Sequence, residues 1–137
     1  IRTWSKGEGD YLSNSDYIIV HVLENAPSSE TVTPIYTDSI AAHYKVWTIP
    51  STSYRDGKVF DSSYKEPFDK DLAVAARFYV GGGLIDGFTT AVQNMRRGDV
   101  WEVYIPYQLG YGTEPKDDIP GYSTLIYKIM LIDHWSE

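Results

Sequence analysis

The sequence contains no cysteine, which removes disulfides, thiol nucleophiles and zinc-thiolate sites from the chemistry open to it. No run of about 18 apolar residues occurs, so no segment reads as a membrane-spanning helix. Basic residues are scarce as well: 12 Lys and Arg stand against 19 Asp and Glu, a net charge of −7. That balance argues against a nucleic-acid or anionic-membrane surface, since both need clustered cations. The basic pair Arg96-Arg97 precedes Gly98 and reads as charge matching at the C-terminal end of a helix. The three histidines, His21, His43 and His134, lack the short spacing of a metal-ligand set. A nucleophile elbow of the GxSxG type is missing, and Ser62-Ser63 has no neighbouring base, so acyl transfer finds no support. Gly81, Gly83 and Asp86 miss the last position of GxGxxG, and no GK[ST] follows, which leaves the glycine run as a place of close backbone approach rather than a phosphate cradle. Asp117-Asp118 reads as a solvated loop charge.

Aromatic residues are plentiful: 12 Tyr, 4 Trp and 4 Phe in 137 residues, set mostly in alternating segments that favour strands. The length suits one domain with its own core. Residues 1–16 are polar and without a period, and read as a tail or tether preceding a domain over 17–137. Strands are predicted over Tyr17–Leu23, Ser39–Thr48, from Lys58-Val59-Phe60-Asp61, over Val100–Ile105 and over Ser123–Asp133. Leu72–Val80 is a further strand candidate whose Ala-rich half fits a helical turn equally well. Phe60 and Asp61 are adjacent and fall on opposite faces unless a bulge intervenes. After Gly81-Gly82-Gly83 comes a short helix whose Phe88, Val92 and Met95 recur at i, i+4 and i+7. A helix this short is marginal alone and must pack its apolar face on a sheet. Pro106 to Tyr122, rich in Gly and Pro, is a long loop of the kind that carries function. The expected fold is α+β: a five- or six-stranded curved antiparallel sheet wrapped around one short helix.

Several segments together resemble the FK506-binding type of peptidyl-prolyl cis/trans isomerase. They are Ala42-His43-Tyr44, Asp56-Gly57-Lys58-Val59-Phe60-Asp61-Ser62-Ser63, Leu84-Ile85-Asp86-Gly87-Phe88 through Met95, and Gly98-Asp99. The pattern continues with Ile105-Pro106-Tyr107-Gln108-Leu109-Gly110-Tyr111-Gly112, Ile119-Pro120 and Ser123-Thr124-Leu125-Ile126-Tyr127. Order and spacing match from about Ser39 to Leu131. The resemblance implies a pocket between helix and concave sheet, with Phe88 as the floor for a substrate proline ring. Tyr44, Phe60, Ile85 and Tyr127 would form its walls, Leu84 would adjoin them, and Tyr111 and Ile119 would come from the long loop. Asp61 would be the polar residue at the edge. The Ile85 backbone N–H and the Tyr111 hydroxyl would donate to carbonyl oxygens of a peptide or of an FK506-like macrolide.

The same resemblance implies isomerisation of X-Pro bonds in proline-containing polypeptides, without cofactor, metal or covalent intermediate. The alternative is a proline-peptide-binding or chaperone module with weak or no turnover. The floor position, commonly Trp in the family, is Phe88 here, and the stretch from Ser62 to Val80 is several residues longer than in compact members. That insertion leaves two readings: Phe68 lines the pocket, or Phe68 lies in the added loop and Ala76 stands at the family's aromatic position. The chain begins at Ile1 rather than Met, and its polar first residues resemble the tether of secreted or lipid-anchored bacterial members. A processed product of the bacterial cell envelope is therefore expected.

Overall fold

The computed structural model describes residues 1–5, 14–48, 59–64, 74–114 and 120–136. Among these residues are six strands in one sheet, β1 (Ile19–Glu24), β2 (Asp38–Thr48), β3 (Val59–Ser62), β4 (Ala76–Tyr79), β5 (Val100–Ile105) and β6 (Leu125–Ser136), with one α-helix, α1 (Asp86–Gln93). All pairings are antiparallel, in the order β1-β5-β6-β2-β3. β4 also pairs with β2, so two strands share one edge of it. β3 covers the C-terminal part of β2, from Lys45 to Trp47, and β4 covers Ser39 to Ala42. Tyr44 lies where that edge divides. Its N–H donates to Ser63 Oγ and its carbonyl accepts from the Ser63 N–H, both at 2.8 Å, as the chain leaves β3.

Alternation in the sequence becomes two faces of the sheet. In β5, Trp101, Val103 and Ile105 are buried while Val100, Glu102 and Tyr104 are only partly covered. Leu125, Tyr127, Ile129 and Leu131 of β6 join the same core with Ile40, Ala42 and Val46 of β2. The other face of β6 is more covered than its alternation predicts, because β6 is a central strand. Ile126 stands between Tyr104 and Trp47, and Met130 between Val100 and His43, so large cross-strand neighbours shield both.

α1 lies on the concave face, with Phe88, Ala91, Val92 and the following Met95 in the core. Its approach to β5 depends on Gly87. A Cβ there would stand 2.5 Å from Ile105 Cγ2. The helix is covered on its other side too, since Thr89 and Thr90 are buried. The cover is the start of the chain. Trp4 N–H donates to Thr90 Oγ1 at 2.9 Å, Ser5 Oγ donates to Asp86 Oδ2 at 3.3 Å, and Arg2 forms a bridge with Tyr17. Of the segment read as a polar tail, residues 1–5 and 14–16 thus pack on the domain.

The basic pair plays a different part from the one expected. α1 ends at Gln93 with no basic residue in its last turn. Arg97 instead pairs with Glu30 at 2.9 Å and Asp133 at 3.3 Å, tying two loops to the end of β6. Arg96 pairs with Asp99 at 3.6 Å, whose buried carboxylate also accepts the Arg96 and Ala26 N–H groups.

Candidate functional site

Between α1, the divided edge of β2 and the turn after β5 lies a cavity of about 210 Å³, lined by Tyr44, Asp61, Phe78, Gly83, Leu84, Ile85, Phe88, Tyr111 and Tyr127. Its floor is Phe88, placed at the third residue of the helix and 4% exposed. Around the floor, four rings form a closed circuit. Phe88 meets Phe78 and Tyr127 at centroid distances of 5.4 Å each, Tyr44 meets Phe78 at 5.7 Å, and Tyr44 meets Tyr127 at 6.4 Å. Every spacing falls in the range where aromatic pairs attract, with the rings tilted or edge-on to one another.

The polar groups stand at the rim. Tyr44 donates its hydroxyl to Asp61 Oδ2 at 2.5 Å, while Asp61 Oδ1 accepts the Ser62 N–H at 2.8 Å. A register shift opposite Val46 and Trp47 brings Asp61 to this position: Asp61 pairs with Val46 and Val59 with Trp47, so Phe60 between them has no direct partner. The bulge left open by the sequence is therefore present. Burial, and then the bond to Asp61, pushes the Tyr44 phenol up to about 12. Tyr127 is held protonated more strongly still, first by its burial and then by Tyr111 beside it. Neither phenol is an acid near neutral pH; both act as neutral hydrogen-bonding groups.

Leu84 and Ile85 follow Gly83, whose φ of +86° suits glycine and turns the chain into the helix. Ile85 is the N-cap, with no side-chain cap, and its carbonyl accepts from the Thr89 N–H at 3.1 Å. Tyr111 follows the 3-10 turn Tyr107–Leu109, where the Leu109, Gly110 and Gly112 N–H groups all bond back to Pro106 or Tyr107 carbonyls.

Of the expected site residues, Tyr44, Asp61, Leu84, Ile85, Phe88, Tyr111 and Tyr127 line this one cavity. Phe60 lies in β3, beyond which its side chain is not described, and Phe68 and Ile119 lie outside the described residues. Sequence reasoning missed Phe78. It sits two residues beyond Ala76 on the same face of β4, opposite Ile40, and it is Phe78 whose ring completes the circuit.

The model of the FKBP-type peptidyl-prolyl cis-trans isomerase family matches residues 30–132. The chain belongs to this family. Among similar proteins, the macrophage infectivity potentiator of Trypanosoma cruzi is 37% identical over 100 residues, 72% of this chain and 44% of that protein. The FKBP-type peptidyl-prolyl cis-trans isomerase FkpA of Escherichia coli is 32% identical over 102 residues, 73% of this chain and 32% of FkpA. The chain thus spans less than half the length of these two relatives. The crystal structure of E. coli FkpA superposes with a TM-score of 0.70 at 27% identity, covering 96% of this chain and 54% of that one. A peptidyl-prolyl cis-trans isomerase from Pseudomonas syringae superposes with a TM-score of 0.67 at 26% identity, covering 85% and 74%.

Proposed function

We propose that this FKBP-type domain catalyses cis/trans isomerisation of X-Pro bonds in polypeptides, with the proline ring on Phe88 inside the ring circuit. The circuit is the observation that carries the reading. An apolar box walled by Tyr44, Phe78 and Tyr127 suits a saturated five-membered ring. The rim groups Asp61, Tyr111 and the start of α1 offer polar contacts to the peptide on either side.

The rate enhancement follows from amide electronics. The barrier of about 18–20 kcal/mol to C–N rotation is resonance energy, and resonance places negative charge on the carbonyl oxygen in the planar states. Twisting withdraws that charge. Water stabilises the planar, charge-separated amide, so moving the bond into an aromatic cavity disfavours the ground state relative to the twisted one. Each ~1.4 kcal/mol of that difference is a tenfold rate. The Ile85 N–H and the Tyr111 hydroxyl hold the flanking carbonyls, which keeps the backbone still while the imide rotates.

The test is isomerisation of a short X-Pro peptide followed directly, without a coupling protease. Acceleration abolished by an FK506-like macrolide is the expected result. A folded domain that binds the peptide yet leaves the rate at its uncatalysed value would overturn the enzymatic reading in favour of a proline-peptide-binding or chaperone module. The departure that favours this second reading is Phe88, a smaller platform than Trp. Phe88→Trp separates the two, raising turnover only if the domain is an isomerase. A cell-envelope location belongs to the same proposal, and fractionation of source cells checks it.

A further inference from the structure

The floor of the pocket stands on a helix with little of its own to hold it. α1 has eight residues, and its N-cap Ile85 makes no side-chain capping bond. On the Phe88 side it faces the cavity. What backs the helix against that open side is the start of the chain, and the contacts are ordered along it. Trp4 N–H donates to Thr90 Oγ1 at 2.9 Å, and the next residue, Ser5, donates its hydroxyl to Asp86 Oδ2 at 3.3 Å. Asp86 and Thr90 are i and i+4, neighbours on one face, while Phe88 between them points about 200° around the helix from either. Two consecutive residues of this strap thus grip one face over a full turn, opposite the floor ring.

The strap is anchored in turn. Thr3, 1% exposed, has its N–H on the Asp16 carbonyl at 2.6 Å and its hydroxyl 3.4 Å from Thr90 Oγ1, and the Ile18 N–H bonds to the Ile1 carbonyl at 2.8 Å. A second hold reaches the loop before the helix. The Trp4 ring meets Tyr36 at a centroid distance of 4.8 Å, and Tyr36 lies against Gly81, where a Cβ would stand 2.7 Å from Tyr36 Cε1. The chain is therefore held at Gly81, Asp86 and Thr90, on either side of the Gly83, Leu84 and Ile85 that line the cavity.

We propose that Trp4, Ser5 and Thr90 are positioning residues: their strap backs α1 on the side opposite Phe88 and so sets the depth of the floor ring and the place of the Ile85 N–H for a bound X-Pro peptide. This deepens the isomerase reading and rests on it. Strap and peptide act on opposite faces of one helix, so their effects are reciprocal. Whatever factor in affinity the closed strap gives the peptide, the bound peptide gives to closure of the strap. A segment that only covered apolar surface would carry no such coupling.

Amide exchange and turnover test it. In the wild type, a saturating X-Pro peptide should slow exchange of the Trp4 N–H about threefold to tenfold, the scale of one hydrogen bond. The Glu30 N–H, bonded to the Pro27 carbonyl in the loop after β1, should keep its rate. Thr90→Val keeps the shape and loses the acceptor, and kcat/KM should fall by a similar factor. Thr90→Ser loses a methyl group and keeps the acceptor, and should restore most of the activity, with each variant assayed well below its melting temperature. Equal slowing of both amides, or none at Trp4, overturns the proposal, as does Thr90→Ser as impaired as Thr90→Val. The exchange comparison needs only the wild type and decides the matter should Thr90→Val fail to fold. A wild type that binds the peptide without turnover ends the isomerase reading and leaves the exchange comparison to decide the strap; one that does not bind it ends both.

Discussion

At the scale of single residues, the site turns on Phe78. The ring joins Phe88 at 5.4 Å to Tyr44 at 5.7 Å, and without it the circuit has a gap on the β4 side. Phe78→Ala is expected to lower kcat/KM by about tenfold or more, since water entering the gap restores solvation of the planar amide. The fall in melting temperature should be modest, because Phe78 is only partly buried and β4 is four residues long. Peptide turnover and thermal unfolding of the same preparation check both; turnover unchanged would remove Phe78 from the site. Why the sequence hid this residue is instructive. Tyr44, Asp61, Ile85, Phe88 and Tyr127 lie in stretches whose spacing follows the family without interruption. Phe78 follows an insertion, so counting forward from Asp61 arrives at Phe68 or Ala76. Only the pairing of β4 with β2, Phe78 opposite Ile40, identifies the inward ring.

At the scale of elements, α1 is the piece held from most sides. Gly87 shows how tight the fit is. Alanine in a helix is ordinarily favoured over glycine by about 1 kcal/mol. Here its Cβ would meet Ile105 at 2.5 to 2.8 Å on three side-chain atoms, and Ile105 is fully buried. Overpacking of this kind costs about 1–3 kcal/mol, which outweighs the helical gain at a position so near the helix start. Gly87→Ala should therefore lower the melting temperature, and adding Ile105→Val should recover part of the loss. A Gly87→Ala protein as stable as the wild type would mean the helix can shift without cost. The helix itself was legible from Phe88, Val92 and Met95. Its outer cover was not: the polar start of the chain has no period to betray that Trp4 and Ser5 return to Thr90 and Asp86. Single hydrogen bonds between distant segments leave no mark on local sequence.

At the scale of the whole molecule, stability is tied to pH through a residue away from the pocket floor. His43 lies on the other face of the sheet, its ring edge-on to Tyr64 at 6.2 Å and Nδ1 3.5 Å from Ser63 Oγ. Burial lowers its pKa from 6.5. Below about pH 6.5 the unfolded chain takes up this proton and the native state does not, so unfolding gains protons and native stability falls. The contribution is complete above the unfolded value and is lost as pH drops toward the native one. The decline in melting temperature from about pH 7.5 to about pH 5.5 should accordingly shrink in His43→Gln. An equal decline in both proteins would assign the effect to other groups.

The sequence by itself determined the class of fold, the run of strands, the helix and most residues of the pocket. The fold class, strands and helix follow from period and turn chemistry, which act over a few residues, whereas the pocket residues follow from the family resemblance of motifs spread from about Ser39 to Leu131. Tertiary structure alone decided that β3 and β4 share one edge of β2, that a bulge sets Asp61 beside Tyr44, and that Phe78 closes the ring circuit. Such outcomes depend on register and cross-strand distance between segments far apart in the chain, and no local pattern encodes where two of them will meet.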